Sequence, residues 1–272
     1  MTLRIVNFAL LVGCLAITGL ALGTTRLTQG NNHLTPIQRE IERQRQRLSS
    51  AEIEERRDAL MRLANLKRPE ASRVATAGLR DPVPIVRATA VHAVLSLPQA
   101  EGAAVLIPLL QDKLEFVRRE TAYALGKTRS RSAVEALSNL LLFDKEASVR
   151  AAAAIALGQI GDDAAVNALS QVLNGTAPPK GKKKKLRENE FVMRAAAHSL
   201  GQIRSRSSVT VLIATLENET NANDVRREAA TALGLIGDAS AIPSLRAALG
   251  AADPYLSEAA REALRRLRLA RN

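Results

Sequence analysis

One string of residues recurs along this chain at nearly constant spacing, and it restricts the possible folds more than any other feature. Val149-Arg150 opens an alanine-rich run that closes on Leu157-Gly158-Gln159-Ile160. The string reappears from Val225-Arg226 to Leu233-Gly234, and from Val117-Arg118 to Leu125-Gly126. As a template it is an apolar residue, an Arg, then apolar residues or Ala at offsets 5, 8 and 11 from the start. Its starts fall at Glu55, Val86, Val117, Val149, Val192, Val225 and Leu256, spaced by 31, 31, 32, 43, 33 and 31 residues. Offset 8 is Leu63, Val94, Leu125, Leu157, Leu200, Leu233 and Leu264. Such offsets share one side of a helix.

A break follows each of the first six helices: Arg68-Pro69, Pro98, Arg129-Ser130, Gly161-Asp162, Ser205 and Gly237-Asp238. Short apolar helices are then predicted over 103–110, 133–142, 164–173, 209–216 and 241–249. Pro243 fits a first turn, whereas Pro108 lies deeper and predicts a kinked or shortened helix. Two helices per period of this length define a helical solenoid, in which one unit cannot bury its own apolar stripe but stacked neighbours can. Composition agrees. Charged residues are 24% and apolar residues 46%, which places the chain among folded proteins. Aromatics are only 2% and Trp is absent, so Ala and Leu must fill the core, as closely packed helices allow.

The Val-Arg-x-x-Ala-x-x-x-Leu-Gly-x-Ile strings, with Gly-Asp at the following turn, resemble HEAT repeats of the short bacterial kind called PBS-lyase HEAT-like repeats. The resemblance spans residues 50–267. It implies an all-α protein, a right-handed α-solenoid of about seven helical-hairpin repeats. It is specific for fold and poor for function, because this repeat class serves scaffolds, adaptors and a few enzymes.

Residues 5–22 are nearly all apolar and follow Arg4, which predicts a signal peptide or an N-terminal membrane anchor over residues 1–23. Ala21-Leu22-Gly23 suits cleavage. Leu11-Val12-Gly13-Cys14 matches a lipobox, although apolar sequence continues past Cys14, the single cysteine, where a lipoprotein turns polar. Arginines after the segment favour a cytoplasmic body if it is retained; its length and cleavage site favour export. The expected location is the cell envelope, with the side of the membrane open. Residues 24–49 read as a polar linker and a charged lead-in helix, and residues 50–272 as the solenoid, with Ser50 as N-cap.

Two groups of residues invite a functional reading. Arg56, Arg87, Arg118, Arg150 and Arg226 occupy the template Arg, and Asp81, Asp112 and Asp144 lie five residues before three of the starts. The resemblance implies that they bond between neighbouring units. The alternative is an Arg ladder for phosphates, but an Asp in register one loop earlier is what a stacking device requires. The second group is an insertion at 174–188, inside the 43-residue spacing. It carries Lys180, Lys182, Lys183, Lys184, Lys185 and Arg187, six cations that cannot be buried. They form either a solvated linker or a loop that grips a polyanion, and insertions in solenoids fall on one face, often the binding face.

No catalytic constellation is present. His33, His92 and His198 form no spaced set suited to a metal. Neither a phosphate loop nor a nucleophile elbow occurs, and no cofactor is expected. The net charge of +12 favours acidic partners. Nucleic acid is disfavoured, because Phe116, Tyr123, Phe143, Phe191 and Tyr255 are expected to pack and leave no stacking platform. The two Asn-x-Thr sequons, Asn174-Gly175-Thr176 and Asn218-Glu219-Thr220, are read as chance. The last unit carries Arg261, Arg265, Arg266, Arg268 and Arg271, a polar face that suits a C-terminal cap. The expected function is that of a non-catalytic scaffold or adaptor, membrane-tethered or exported, that binds a protein partner. The alternatives are a polyanion binder, acting on anionic lipid or nucleic acid through the Lys-rich loop and the C-terminal arginines, and a lyase-like enzyme or chaperone.

Overall fold

The computed structural model describes residues 34–175 and 188–269. Residues 1–23 and the cations from Lys180 to Arg187 lie outside them, so the expected anchor and basic loop do too. The chain separates into two compact units, residues 1–39 and 40–272. Of the first, the described part is a helix start: the Gln38 amide donates to the Thr35 hydroxyl at 3.3 Å and the Thr35 amide to Gln38 Oε1 at 2.8 Å. Reciprocal bonds of this kind satisfy two orphan donors of a helix N-terminus, with Pro36 at the first helical position.

Among the described residues there are helices and no strand. After α1 (Pro36–Arg47) a long and a short helix alternate. The long ones are α2 (Ile53–Asn65), α4 (Pro84–Ala93), α6 (Glu115–Thr128), α8 (Ala147–Ile160), α10 (Glu190–Ile203), α12 (Asn223–Ile236) and α14 (Pro254–Leu269). The short ones are α3 (Pro69–Ala75), α5 (Gln99–Leu106), α7 (Val134–Phe143), α9 (Val166–Leu173), α11 (Val209–Glu217) and α13 (Ile242–Ala248). The result is an α-solenoid. α5 stops at Leu106 and the chain tightens into a 3₁₀ turn, Ile107–Gln111, which holds Pro108; α3 ends the same way, in Thr76–Arg80, with no proline, so the shortening belongs to the unit and not to Pro108. Ser50 is not the cap of α2. Its hydroxyl takes the Glu52 amide at 3.1 Å, two residues on, and the helix begins at Ile53. A bond that short in sequence closes a local turn and leaves the helical N–H groups unserved.

The template leucines Leu63, Leu125, Leu157 and Leu200 are completely buried, in a layer with Leu137, Leu141, Leu169 and Leu212 of the short helices. Each such side chain contributes about 2 kcal/mol on removal from water. From the third unit on, the residue after the template leucine sets the distance to the next unit. Gly126, Gly158, Gly201 and Gly234 each face the next long helix, at Ala156, Ser199, Ala232 and Ala263. A methyl group on Gly201 would lie 2.9 Å from the Cα of Ala232, and one on Gly234 2.7 Å from the Cα of Ala263. The obstacle is backbone, which cannot move aside. The long helices therefore touch main chain to main chain, and only Gly opposite a small residue permits it.

Gly234→Ala should thus destabilise by about 1–3 kcal/mol, although Ala in a helix interior is otherwise favoured by about 1 kcal/mol. Gly250→Ala, where the added methyl meets only ordinary contacts, serves as the control. Urea denaturation of the two variants checks this; a Gly234→Ala protein as stable as the control would contradict the packing argument.

Candidate functional site

The template arginines of the first three units form a continuous ladder. Arg56, Arg87 and Arg118 each present a fork to an aspartate of the next unit, Asp81, Asp112 and Asp144. Nε donates to Oδ2 at 2.7 Å in all three, and Nη2 to Oδ1 at 3.2, 3.0 and 3.0 Å. The third nitrogen turns back to the main chain. Arg87 Nη1 donates to the Asp81 carbonyl at 2.8 Å, Arg118 Nη1 to that of Asp112 at 2.9 Å, and Arg150 Nη1 to that of Asp144 at 2.8 Å. Each aspartate also accepts the amide two residues on, at Val83, Leu114 and Glu146, just before a long helix begins. One aspartate thus fixes a helix entry, one arginine from behind and one from ahead. These side chains are largely buried, so they offer no surface to a phosphate.

Charges set in this way are held charged. The hydrogen bonds that Arg118 donates to Asp144 raise its pKa above the ordinary value, against the burial that lowers it. Burial pushes the Asp112 carboxyl up, but hydrogen bonds from Arg87 and the Leu114 amide, with the charges of Arg87 and Arg118, outweigh it. Asp112 therefore lies below the usual aspartate range. On the last helix, the Glu262 carboxyl is lowered to about 2 by hydrogen bonds from Arg265 and then Arg266.

The ladder changes at the insertion. Arg150 reaches Glu188, its Nη2 donating to Oε1 at 2.7 Å, while its buried Nε has no hydrogen-bond partner among the described residues. Glu188 was not singled out from the sequence; an acid four residues before the Val192 start was the available signal. In the fifth unit Met193 fills the arginine position and is buried. Arg226 departs from the pattern: its Nε donates to the Leu216 carbonyl at 2.8 Å. The cross-unit ion pairs move one residue along, from Arg194 to Asp224 at 3.6 Å and from Arg227 to Asp253 at 3.7 Å.

The residue just before a template start forms a row the sequence reading misjudged. Phe191 and Tyr255 were expected to pack, yet they are 48% and 70% exposed. Arg194 stands over the Phe191 ring at 5.3 Å and Arg227 over Tyr255 at 5.4 Å. Successive helical residues differ by about 100°, so a residue beside a buried start is turned out of the core. Ile85 belongs to the same row, is 41% exposed, and with Met61, at 45%, borders an apolar groove of about 430 Å³ across α2, α4 and α6. Phe116, Ala88, His92 and Glu120 complete it. His92 bonds Glu120 at 3.2 Å, and His198 bonds Glu228 at 2.7 Å in the same register three long helices further on. Both histidines thus pair with a carboxylate of the next unit, a match that only the stacking brings about. Among the described residues no group of three or more His, Cys, Asp or Glu could hold a metal ion.

The model for HEAT repeats matches residues 41–124, 103–181 and 184–267. Solved structures share the fold. YibA of Escherichia coli is 21% identical, covering 85% of this chain and 82% of that one, with a TM-score of 0.57. An engineered protein is 21% identical, covering 84% and 68%, with a TM-score of 0.52. The complex of CpcE and CpcF of phycocyanin lyase from Nostoc sp. PCC7120 is 22% identical, covering 91% and 92%, with a TM-score of 0.48. Likenesses this distant establish fold alone. No curated protein matches the sequence.

Asp112 gives the ladder a pH signature. Its folded-state pKa is depressed, so its contribution to stability is full above the ordinary aspartate pKa of about 4 and is lost as pH falls through the lower folded value. Asp112→Ala should cost about 3 kcal/mol at neutral pH, because it leaves Arg87 unpaired. That cost should shrink in acid. Urea denaturation of both proteins at neutral and acid pH measures it; a cost that does not change with pH would remove the charge from the explanation.

Proposed function

The chain belongs to the HEAT-repeat family, and on that premise we propose that it is a non-catalytic scaffold that binds a partner protein on the exposed side of its long helices. The observation that carries this is the apolar groove bordered by Met61 and Ile85. Exposed apolar surface gathered into a channel, and not scattered singly, marks a docking site. The groove runs across three parallel helices, with His92 and Glu120 at its rim. Its shape and polarity suit an amphipathic helix laid across the units, with apolar side chains down and polar ones toward that rim. The Arg-capped rings of Phe191 and Tyr255 extend the same row and supply further anchors of the type enriched at interfaces.

A photo-crosslinking amino acid at position 61 or 85 should trap one protein in producing cells, and the same residue at position 246, on the outside of α13, should not. Ile85→Asp should abolish the adduct formed from position 61 and leave the helical circular dichroism unchanged. An adduct from position 61 that survives Ile85→Asp would exclude this groove as the docking site.

We also propose that residues 1–23 hold the scaffold at the cell envelope, as an anchor or an export signal. Among the described residues no helix is long and apolar enough to cross a membrane, so the proposal rests on the apolar run at 5–22. Fractionation with protease protection of the body should find it in the membrane or exported fraction. Recovery in the soluble cytoplasmic fraction would overturn it. A second reading, contact with anionic lipid, is favoured by the six cations between Lys180 and Arg187.

A further inference from the structure

A second groove, of about 610 Å³, runs along the C-terminal ends of α6, α8 and α10. Lys127, Gln159 and Gln202 stand at one template position of three successive units, and Arg129 and Arg204 add two further cations. All five are exposed. Among the described residues, none of the three cations forms an ion pair. Their neighbours do: Arg131 pairs with Asp162 at 3.2 Å and Arg206 with Asp238 at 3.8 Å. Acids are therefore supplied to the ridge beside the groove and withheld from the groove itself.

The backbone adds an independent observation. Arg129 and Arg204 are left-handed, with φ of 54° and 59°. The equivalent residues of the fourth and sixth units are Gly161 and Gly237, at 73° and 77°. All four close a long helix at the position that favours glycine. Two units use the unstrained residue; the third and fifth keep an arginine there despite the strain, and the first likewise keeps Lys67, at φ of 49° and outside the groove. The helix dipole attracts a cation at this end, but it acts alike on the units that carry glycine. A side chain retained against its backbone preference points to a use for the side chain.

We propose that this groove binds an extended acidic segment of a partner protein, rich in Asp and Glu. The inference deepens the scaffold reading and rests on it, at a surface separate from the apolar groove. The carboxylates pair with Lys127, Arg129 and Arg204, where Arg offers a two-pronged fit. The carboxamides of Gln159 and Gln202, each both donor and acceptor, serve the backbone of the segment, which a strand lying across helix ends leaves unpaired. Arg129 and Arg204 are two units apart, about 20 Å at ordinary helix spacing, so an extended segment places acids about six residues apart.

The test uses a labelled Glu-rich decapeptide, its Gln counterpart, and a single-stranded oligonucleotide of matched charge. They are titrated by fluorescence anisotropy against the full chain, and against a form with Lys180, Lys182, Lys183, Lys184, Lys185 and Arg187 replaced by Gln, which removes the competing cations of the insertion. The Glu peptide should bind both forms and the Gln peptide neither. Arg129→Gly with Arg204→Gly should weaken the Glu peptide by about tenfold or more while the thermal midpoint stays the same or rises, because glycine relieves the strain. A merely structural arginine predicts the reverse, a lower midpoint and unchanged binding. Peptide affinity that survives the double variant overturns the proposal, as does tighter binding of the oligonucleotide that the same variant abolishes. Ile85→Asp should leave the peptide bound. A full chain that forms the position 61 adduct but never binds the Glu peptide refutes this groove alone, and one that binds the peptide but forms no adduct refutes the apolar groove alone.

Discussion

The contact of main chain with main chain between successive long helices sets the dimensions of everything else. Gly201 over Ala232 and Gly234 over Ala263 bring two helix axes as close as backbones allow. Alanine-rich helices then lose their last exposed surface: Ala151 to Ala154 of α8 are completely buried. A chain with four phenylalanines and no tryptophan can still bury a continuous core, because small side chains replace bulk with proximity. The close approach also fixes the step between the later units, from the third to the seventh.

The ladder stands apart from that contact: two of its three rungs, Arg56–Asp81 and Arg87–Asp112, belong to units that carry Ala64 and Leu95 where the later units carry glycine. Each rung uses all three nitrogens of the arginine, two for a carboxylate ahead and one for a carbonyl behind, so that Asp112 is held both by side chain and by main chain. Burying such ions is costly unless every lone pair is met, and three successive rungs meet that condition. The fourth does not. Glu188 at the end of the insertion supplies one bond where aspartate supplies two, and Arg150 Nε is left over. Beyond it, methionine fills the arginine position and the ion pairs move one residue outward, onto exposed rings. The array is thus stitched internally in its first half and along its surface in its second, and the change falls where extra sequence enters.

Repetition leaves particular positions free to vary. The start, the leucine and the glycine are bound by packing, while the residue before the start and those at the helix ends face solvent in every unit. The apolar row through Ile85, Phe191 and Tyr255 and the cationic row through Arg129 and Arg204 are built at those unconstrained positions. A scaffold of this kind presents chemically distinct tracks along one stack. Family membership fixes the stack and leaves the tracks to the individual chain.

The sequence alone determined the solenoid, its period and the two helices of each unit, because each follows from a repeat of fixed length with a helical apolar stripe; the pairing of Arg87 with Asp112 came from the resemblance to HEAT repeats. It did not reveal the exposure of Phe191 and Tyr255, since periodicity locates the buried stripe but not whether a residue at its margin is covered by the next unit. Nor did it disclose the His92–Glu120 and His198–Glu228 pairs, the replacement of aspartate by Glu188, or the meeting of Lys127, Arg129 and Arg204 in one groove. Each of these joins residues of different units, and their distances depend on how closely the long helices pack. Repeats declare themselves in one dimension; only stacking decides which side chains become neighbours across them.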